Sequence, residues 1–241
     1  MAPSDEPEPV TDQETSTHRP VRTFVRRAGR VTERQRRALD ALWSRYGIEL
    51  PDEVPPGFWD DRFGVPGPLT LEIGFGMGTS LVEMARAEPG RRFVGTEVHP
   101  PGVGALLADI EDHGLANLRA LDRDVLEILD VAFAPGELDR VQIFFPDPWH
   151  KKRHHKRRMI QGPFVERLAT RVAEGGELLL ATDWAPYAEW MLEVMEAAPS
   201  WENVHGAGRF APDPGVRAPT RFEARGLRRG HEIFDLRYRR V

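Results

Sequence analysis

The sequence predicts an α/β domain built on a doubly wound, mostly parallel sheet. Two observations support this prediction. Short apolar runs alternate with helical patterns from Leu69 onward, and the 241-residue length suits one large α/β domain with a sizeable core. Strands are predicted at residues 69–73, 92–97, 118–121, 139–145 and 177–181, and a half-buried strand with alternating side chains at 231–239.

Helices are predicted between these strands from capping residues and apolar spacing. Thr32 and Gln35 have the pattern of a capping box, which opens a helix that ends at Gly47. Further helices are predicted after Gly78, over about 102–112, after Asp124, from Pro163 and around Pro186. We expect Gly175-Gly176 to close the helix that starts at Pro163. The proline-rich residues 51–67 predict an ordered loop.

Charge is segregated along the chain, although the net charge is only −5. The first 14 residues hold five acids and no base, whereas residues 19–37 and 217–240 hold eight arginines each. Residues 150–158, here called the basic block, are all Lys, Arg or His. This pattern predicts a disordered acidic Pro-rich tail at 1–18, a basic N-terminal extension (helix plus Pro-rich loop) at 19–67, and the main domain at 68–241. Three basic clusters indicate a polyanionic partner such as nucleic acid.

The composition excludes several classes of chemistry. The chain has no cysteine, so disulfides, Cys-ligated zinc, iron–sulfur clusters and thiolate nucleophiles are excluded. We see no signal peptide and no apolar run of roughly 18–20 residues, and we therefore expect a cytoplasmic protein without membrane contact. His150, His154 and His155 are spaced like metal ligands, but their positive neighbours would repel a cation, so no metal is expected. A monomer is the default expectation.

Five acidic residues fall at or just after the carboxyl ends of predicted strands, where sheets of this kind bind ligands. They are Glu72, Glu97, Asp124, Asp147 and Asp183. Such a concentration at one edge predicts a binding site.

The cofactor is predicted from the turn after the first strand. Gly74, Gly76 and Gly78 allow the backbone to approach a ligand closely. Thr79 stands where the dinucleotide fingerprint needs Gly or Ala, so NAD is disfavoured relative to S-adenosylmethionine. The Glu-x-Gly-x-Gly-x-Gly pattern resembles the first motif of class I methyltransferases. Glu97 is then placed to bind the ribose hydroxyls and Asp124 to meet the adenine amino group.

The lack of cysteine also excludes methylation at C5 of a pyrimidine, which leaves exocyclic amines and ring nitrogens. The turn Pro146-Asp147-Pro148-Trp149 resembles the motif of amino-methylating enzymes, but the basic block follows it at once. Residues 144–158 as a whole resemble the signature of bacterial tRNA (guanine-N7-)-methyltransferases. Residues 22–32, 181–187 and 220–223 resemble further motifs of that family, and the resemblance covers about residues 20–241.

This resemblance implies a class I, Rossmann-like methyltransferase domain at 68–241 with an antiparallel C-terminal strand. It implies that the family's substrate is N7 of the variable-loop guanosine, position 46 of tRNA. Guanine N7 is an acceptor without a proton, so we expect Asp147 to orient the base rather than remove a proton. By the resemblance, the S-adenosylmethionine site includes Glu72, Glu97, Asp124 and the catalytic acid Asp147, and the tRNA contacts are Lys151, Asp183, Thr220, Arg221, Phe222 and Glu223. Arg221 replaces a lysine of the family motif, which changes the geometry of that contact.

Two other functions remain open from the residues alone. A methyltransferase acting on another RNA guanine, a small molecule or a protein would share the cofactor residues, and with a non-RNA substrate its binding would be insensitive to salt. A non-catalytic RNA-binding protein on the same fold would be expected to lack the cofactor acids, yet Glu72, Glu97 and Asp124 are all present.

Overall fold

The computed structural model describes residue 23, residues 29–218, residues 223 and 230, and residues 232–241. The helices are α1 (Glu33–Tyr46), α2 (Phe58–Phe63), α3 (Thr79–Ala87), α4 (Pro100–His113), α5 (Val125–Ala132), α6 (Gly162–Ala169) and α7 (Ala185–Glu196). The strands are β1 (Leu69–Ile73), β2 (Arg92–Thr96), β3 (Leu118–Leu121), β4 (Leu138–Phe144), β5 (Val172–Thr182), β6 (Trp201–Asn203) and β7 (Phe234–Arg240). The predicted tail at 1–18 lies outside the described residues.

The strands form one seven-stranded sheet in the order β3-β2-β1-β4-β5-β7-β6. Strands β1 to β5 pair in parallel, and β7 runs antiparallel between β5 and β6. The doubly wound sheet and its antiparallel C-terminal strand are therefore confirmed. The order reverses between β1 and β4, which opens a crevice at the carboxyl ends of these strands.

Two buried clusters cover the two faces of the sheet. In β5, Leu178 and Leu180 join one cluster with α5, α6 and α7, whereas Leu179 and Ala181 join the other with α1, α3 and α4. Parallel strands buried on both faces need apolar side chains at consecutive positions, which explains the continuous runs in the sequence. No helix in the described part of the chain has the length and apolarity needed to span a membrane.

Helix α1 begins and ends as its caps predict. The Gln35 backbone N–H donates to Thr32 Oγ1 at 3.3 Å, and Gln35 Oε1 accepts from the Thr32 N–H at 2.8 Å. The helix packs closely on α4, because a Cβ atom on Gly104 would lie 2.6 Å from the Gln35 carbonyl oxygen. Arg34 pairs with Asp109 of α4. Helix α1 of the basic extension is thus packed against helix α4.

Three local predictions were wrong or incomplete. Residues 58–63 form helix α2 within the segment predicted as a loop, because Trp59 is buried and stacks on Phe133 at 5.2 Å. Gly175-Gly176 does not close a helix. Both glycines lie within β5, where a register shift against β4 absorbs them. The short strand β6 was not predicted, and its pairing with β7 defines it.

Candidate active site

A pocket of about 1370 Å³ opens at the carboxyl edge of the parallel strands, where the strand order reverses. Open α/β sheets bind ligands at this position. The lining includes every residue predicted to bind the cofactor and one predicted to bind the substrate. These residues are Glu72, Gly74, Gly76, Gly78, Glu97, Asp124, Asp147 and Lys151. The fold therefore brings together residues from the ends of four different strands.

The turn between β1 and α3 gives the pocket a wall made of backbone. Gly74, Gly76 and Gly78 have φ angles of 72°, 60° and 77°, in the left-handed region that favours glycine. Helix α4 approaches this turn so closely that a Cβ atom on Gly102 would lie 2.0 Å from the Gly76 carbonyl oxygen. A Cβ on Gly74 or Gly76 would meet no described protein atom within 4 Å. Open space beside bare backbone is what a close-lying cofactor requires.

Glu97, just beyond β2, ties the glycine turn to the next strand end. Its Oε2 accepts from the Gly76 N–H at 2.9 Å, and its Oε1 accepts from the N–H groups of Val98 and His99 at 2.7 and 3.1 Å. Burial raises the pKa of this carboxyl, and the three backbone hydrogen bonds oppose the shift. An ionised carboxylate offers about four lone-pair sites, so roughly one acceptor position, on Oε2, remains for a ligand hydroxyl.

Glu72 of β1 is the most deeply buried acid of the pocket, at 3% exposure. Gln142 of β4 donates from Nε2 to Glu72 Oε2 at 2.5 Å. Burial raises the Glu72 pKa to about 7, and the neighbouring Glu97 adds to the rise while Gln142 opposes it. The Oε1 atom of Gln142 is buried and has no hydrogen-bond partner among the described residues. Because its pKa is about 7, Glu72 changes its charge near neutral pH.

Asp124 lies at the end of β3 and begins helix α5. Its carboxylate accepts from the Leu126 N–H at 3.0 Å, so it caps the helix as well as lining the pocket. A helix cap fixes the orientation of this carboxylate relative to the sheet edge.

Asp147 is exposed on a turn, residues 145–149, that directly follows β4. Phe145 and Trp149 flank it with φ angles of 51° and 47°, and they are the two non-glycine residues of the described chain with positive φ. Bulky residues in this region cost about 1–2 kcal/mol each. The Phe145 N–H donates to the Ala181 carbonyl of β5 at 2.8 Å, which anchors the start of the turn to the sheet.

Trp149 is half-buried and contacts the protein on several sides. The Arg157 guanidinium lies 4.0 Å from its ring centroid, and its Nε1 donates to the Thr23 carbonyl at 3.1 Å. The sequence left open whether this ring stacks on a base or packs against the sheet edge. The ring contacts residue 23 and the 3-10 helix of residues 152–157, and Trp149 also lines the pocket, so both roles are compatible with the structure.

The histidines of the basic block do not converge. His150, His154 and His155 contact three different tryptophan rings, those of Trp184, Trp149 and Trp190. No group of three potential metal ligands occurs among the residues with a described position.

Not every residue of the basic block is exposed to solvent. Residues 152–157 form a 3-10 helix on which Lys152, Arg153 and Lys156 are exposed, as is Lys151 before it. Arg158, however, is only 2% exposed and points into the protein. Arg158 therefore does not belong to the exposed part of the basic block.

The C-terminal arginine cluster is also partly internal. Arg217 is 4% exposed and pairs with Asp235 at 2.7 Å and with Glu223 at 2.6 Å. Arg217 is thus a buried structural residue rather than a phosphate contact. The next residue, Ala218, accepts a hydrogen bond from Ser80 beside the glycine turn at 3.1 Å. This contact brings the chain that leads toward residues 220–223 to the edge of the pocket.

The structure describes only some of the other residues that were predicted to bind the substrate. Asp183 is half-buried between β5 and α7, at the same sheet edge but outside the pocket lining. Thr220, Arg221 and Phe222 lie outside the described residues.

Comparisons with known proteins agree with this fold. A family model described as "Putative methyltransferase" matches residues 66–236. A tRNA (guanine-N(7)-)-methyltransferase of Pseudomonas paraeruginosa is 51% identical over 99% of both chains, and one of Alkalilimnicola ehrlichii is 52% identical over 92% of this chain and 93% of its own. The crystal structure of the 16S rRNA methyltransferase KamB superposes with a TM-score of 0.59 at 17% identity, covering 78% of this chain and 95% of that one.

Sheet order and site together define a class I methyltransferase fold. The full-length similarity at about half identity is more specific. This chain belongs to the tRNA (guanine-N7-)-methyltransferase family.

Proposed function

We propose that this protein transfers a methyl group from S-adenosylmethionine to N7 of guanosine 46, in the variable loop of tRNA. One arrangement carries the proposal beyond family membership. Asp147 lines the pocket on a turn between two prolines, and exposed cations begin at Lys151, four residues later. A carboxylate that can orient a base therefore lies next to a surface that attracts phosphates.

The pocket fits S-adenosylmethionine on chemical grounds. This cofactor has a net positive charge, and two acids line the pocket, the buried Glu72 and the half-buried Glu97. The open backbone at Gly74 and Gly76, together with Asp124, would hold its nucleoside part. When bound, the cofactor supplies a methyl group on a sulfonium ion, and the lone pair of guanine N7 accepts it.

The role proposed for Asp147 is orientation. Because N7 carries no proton, the reaction needs no general base. A carboxylate that accepts hydrogen bonds from guanine N1–H and the N2 amino group would hold the purine in one pose and favour positive charge on it. Positioning and electrostatic preorganisation are the sources of rate enhancement that this geometry can supply.

The proposed tRNA surface consists of the exposed cations of the basic block. Lys151, Lys152, Arg153 and Lys156 would neutralise phosphates and bind with a strong dependence on salt. Asp183 and residues 220–223 would complete the substrate contacts, with Glu223 also paired to Arg217.

The decisive test is the target atom. Two tRNA transcripts, identical except for guanine or 7-deazaguanine at position 46, are incubated with the protein and labelled cofactor, and nucleosides are analysed by mass spectrometry. We expect 7-methylguanosine from the first transcript, no label in the second, and similar binding of both. Label in the 7-deaza transcript at that position would contradict N7 as the acceptor. Label mapped to another guanosine would instead support the alternative of a different RNA site.

A further inference from the structure

The turn that carries Asp147 is strained and needs external support. Both bulky residues that flank it have positive φ, and the two prolines between them leave few backbone donors to hold it. The Phe145 N–H is fixed to β5. The opposite end is held through the carbonyl oxygen of Pro148, which accepts from Arg158 Nε at 3.0 Å.

Arg158 lies in a cradle of two aromatic rings. Its guanidinium carbon is 4.8 Å from the ring centroid of Tyr187 and 5.2 Å from that of Trp190. Both rings are anchored to Ile160, since Trp190 Nε1 donates to its carbonyl at 2.8 Å and the Tyr187 hydroxyl accepts from its N–H at 3.4 Å. His155 Nε2 lies 3.1 Å from Arg158 Nη2. The planar guanidinium therefore has a single defined position.

Stability alone gives a weak reason for this burial. No carboxylate of the described chain pairs with Arg158, and burial lowers its pKa. A buried guanidinium without a counter-ion loses hydration that the cation–π contacts and hydrogen bonds only partly replace. The other fully buried arginine near the pocket, Arg217, has two carboxylate partners. The difference points to the hydrogen bond with the Pro148 carbonyl as the reason for the burial of Arg158.

We infer that Arg158 is a positioning residue for methyl transfer, which fixes the Pro148 carbonyl and thereby the orientation of the Asp147 carboxylate. It acts through the backbone of the turn and does not touch the substrate. The inference rests on the proposed role of Asp147 and adds a residue that the sequence assigned to the phosphate-binding surface.

The test compares Arg158→Gln with a matched control, Arg92→Gln. Arg92 is also buried, at 8% exposure, and its Nε donates to the Gly67 carbonyl at 2.9 Å, but it lies at the amino end of β2, away from the pocket. With saturating tRNA and cofactor, we expect Arg158→Gln to lower kcat on the order of 10- to 100-fold. Cofactor affinity should change by less than about threefold, because Arg158 does not line the pocket. Arg92→Gln should lower the melting temperature and leave kcat unchanged.

A spectroscopic readout separates positioning from general destabilisation. The chain has six tryptophans, and labelling with 5-fluorotryptophan gives a fluorine resonance for each, with Trp149 assigned by Trp149→Phe. We expect the Trp149 resonance to move in Arg158→Gln and to stay in place in Arg92→Gln. Should Arg158→Gln not fold, Arg158→Lys replaces it. That variant keeps a cation with N–H donors but loses the planar guanidinium, and we expect a smaller loss of kcat with the same resonance moved.

The outcomes for the inference and for the proposed function are distinct. Wild-type kcat and an unmoved Trp149 resonance in the folded Arg158 variants overturn the inference, whatever their melting temperatures. Asp147→Ala is measured in the same assay. If it loses turnover while the Arg158 variants do not, the inference fails alone. If Asp147→Ala turns over like wild type, the role proposed for Asp147 is wrong.

Discussion

The two halves of the pocket are held by different forces. In the half proposed to bind the cofactor, Glu72 and Glu97 lie between the sheet and the glycine turn, and backbone or amide donors bind their oxygens. In the substrate half, Asp147 is exposed on a strained turn, and the cations beyond it face solvent. Strand pairing and backbone hydrogen bonds position the first half. The second depends on single side chains such as Arg158.

The difference in burial predicts a difference in response to the medium. Charges in a low-dielectric interior are screened little by salt, but their ionisation is sensitive to desolvation. Exposed cations lose phosphate affinity as salt rises. Cofactor binding should therefore depend on pH, and tRNA binding should depend mainly on salt.

The largest expected difference between the effects on cofactor affinity and on tRNA affinity comes from Glu97→Ala. Loss of charge-assisted hydrogen bonds should weaken S-adenosylmethionine binding by about 1–3 kcal/mol, roughly 5- to 150-fold, because Glu97 lines the pocket and organises the glycine turn. The affinity for tRNA should stay within about twofold. Isothermal titration calorimetry measures both affinities. Glu83→Ala, which removes an exposed acid of the adjacent α3, is the control and should bind both ligands normally. Unchanged cofactor affinity in Glu97→Ala would remove Glu97 from the cofactor site.

The opposite effect, on tRNA affinity and not on cofactor affinity, is expected when Lys151, Lys152 and Arg153 are all replaced by glutamine. Three lost phosphate contacts should flatten the dependence of log affinity on log salt by about two to three units. Between 50 and 200 mM salt, the change in tRNA affinity should then be roughly 16- to 64-fold smaller than in wild type. Filter binding across that range tests this, with cofactor affinity expected to stay normal. Arg86→Gln, an exposed cation of α3 already paired with Glu83, is the control. A wild-type slope in the triple variant would mean that the block faces away from the RNA.

The smallest effect expected is the pH dependence of cofactor binding. Burial raises the Glu72 pKa to about 7, so about nine in ten of these carboxyls are protonated at pH 6 and about one in ten at pH 8. A cationic ligand favours the ionised form, so affinity should rise about tenfold over this interval, with proton release on binding. Calorimetry in buffers of different ionisation enthalpy measures both quantities, and Glu72→Gln should remove the pH dependence. An equal affinity of wild type at both pH values would contradict ionisation of Glu72 in this range.

The same pKa shift has a consequence for folding. The pKa of Glu72 is higher in the folded chain than the ordinary value near 4.5, so the folded state binds this proton more tightly. The stabilisation is complete below about pH 4.5 and is lost as pH rises through 7. As pH rises through 7 and Glu72 ionises, we therefore expect the cofactor affinity to rise and the folding stability to fall.

Much of the fold and of the cofactor half followed from local sequence pattern. Apolar runs such as 69–73 predict buried parallel strands because both faces are covered, and Thr32 with Gln35 predicts a helix start from two hydrogen bonds alone. The edge acids Glu72 and Glu97 were predicted to meet because carboxyl ends of parallel strands share one edge. The helix α2 was missed, since tertiary burial of Trp59 stabilises a helix of only six residues.

The sequence by itself determined that glycines and acids lie together at one edge of the sheet, because periodicity and turn chemistry are local properties. Only the tertiary structure decided which charges face solvent. The arginines of the basic block and of the C-terminal cluster look alike in sequence, yet Arg158 holds a carbonyl beneath two rings, and Arg217 is enclosed by Asp235 and Glu223. Elements distant in the chain bury these side chains, α7 in the case of Arg158 and β7 in the case of Arg217. The local sequence pattern around an arginine therefore does not predict whether it is buried.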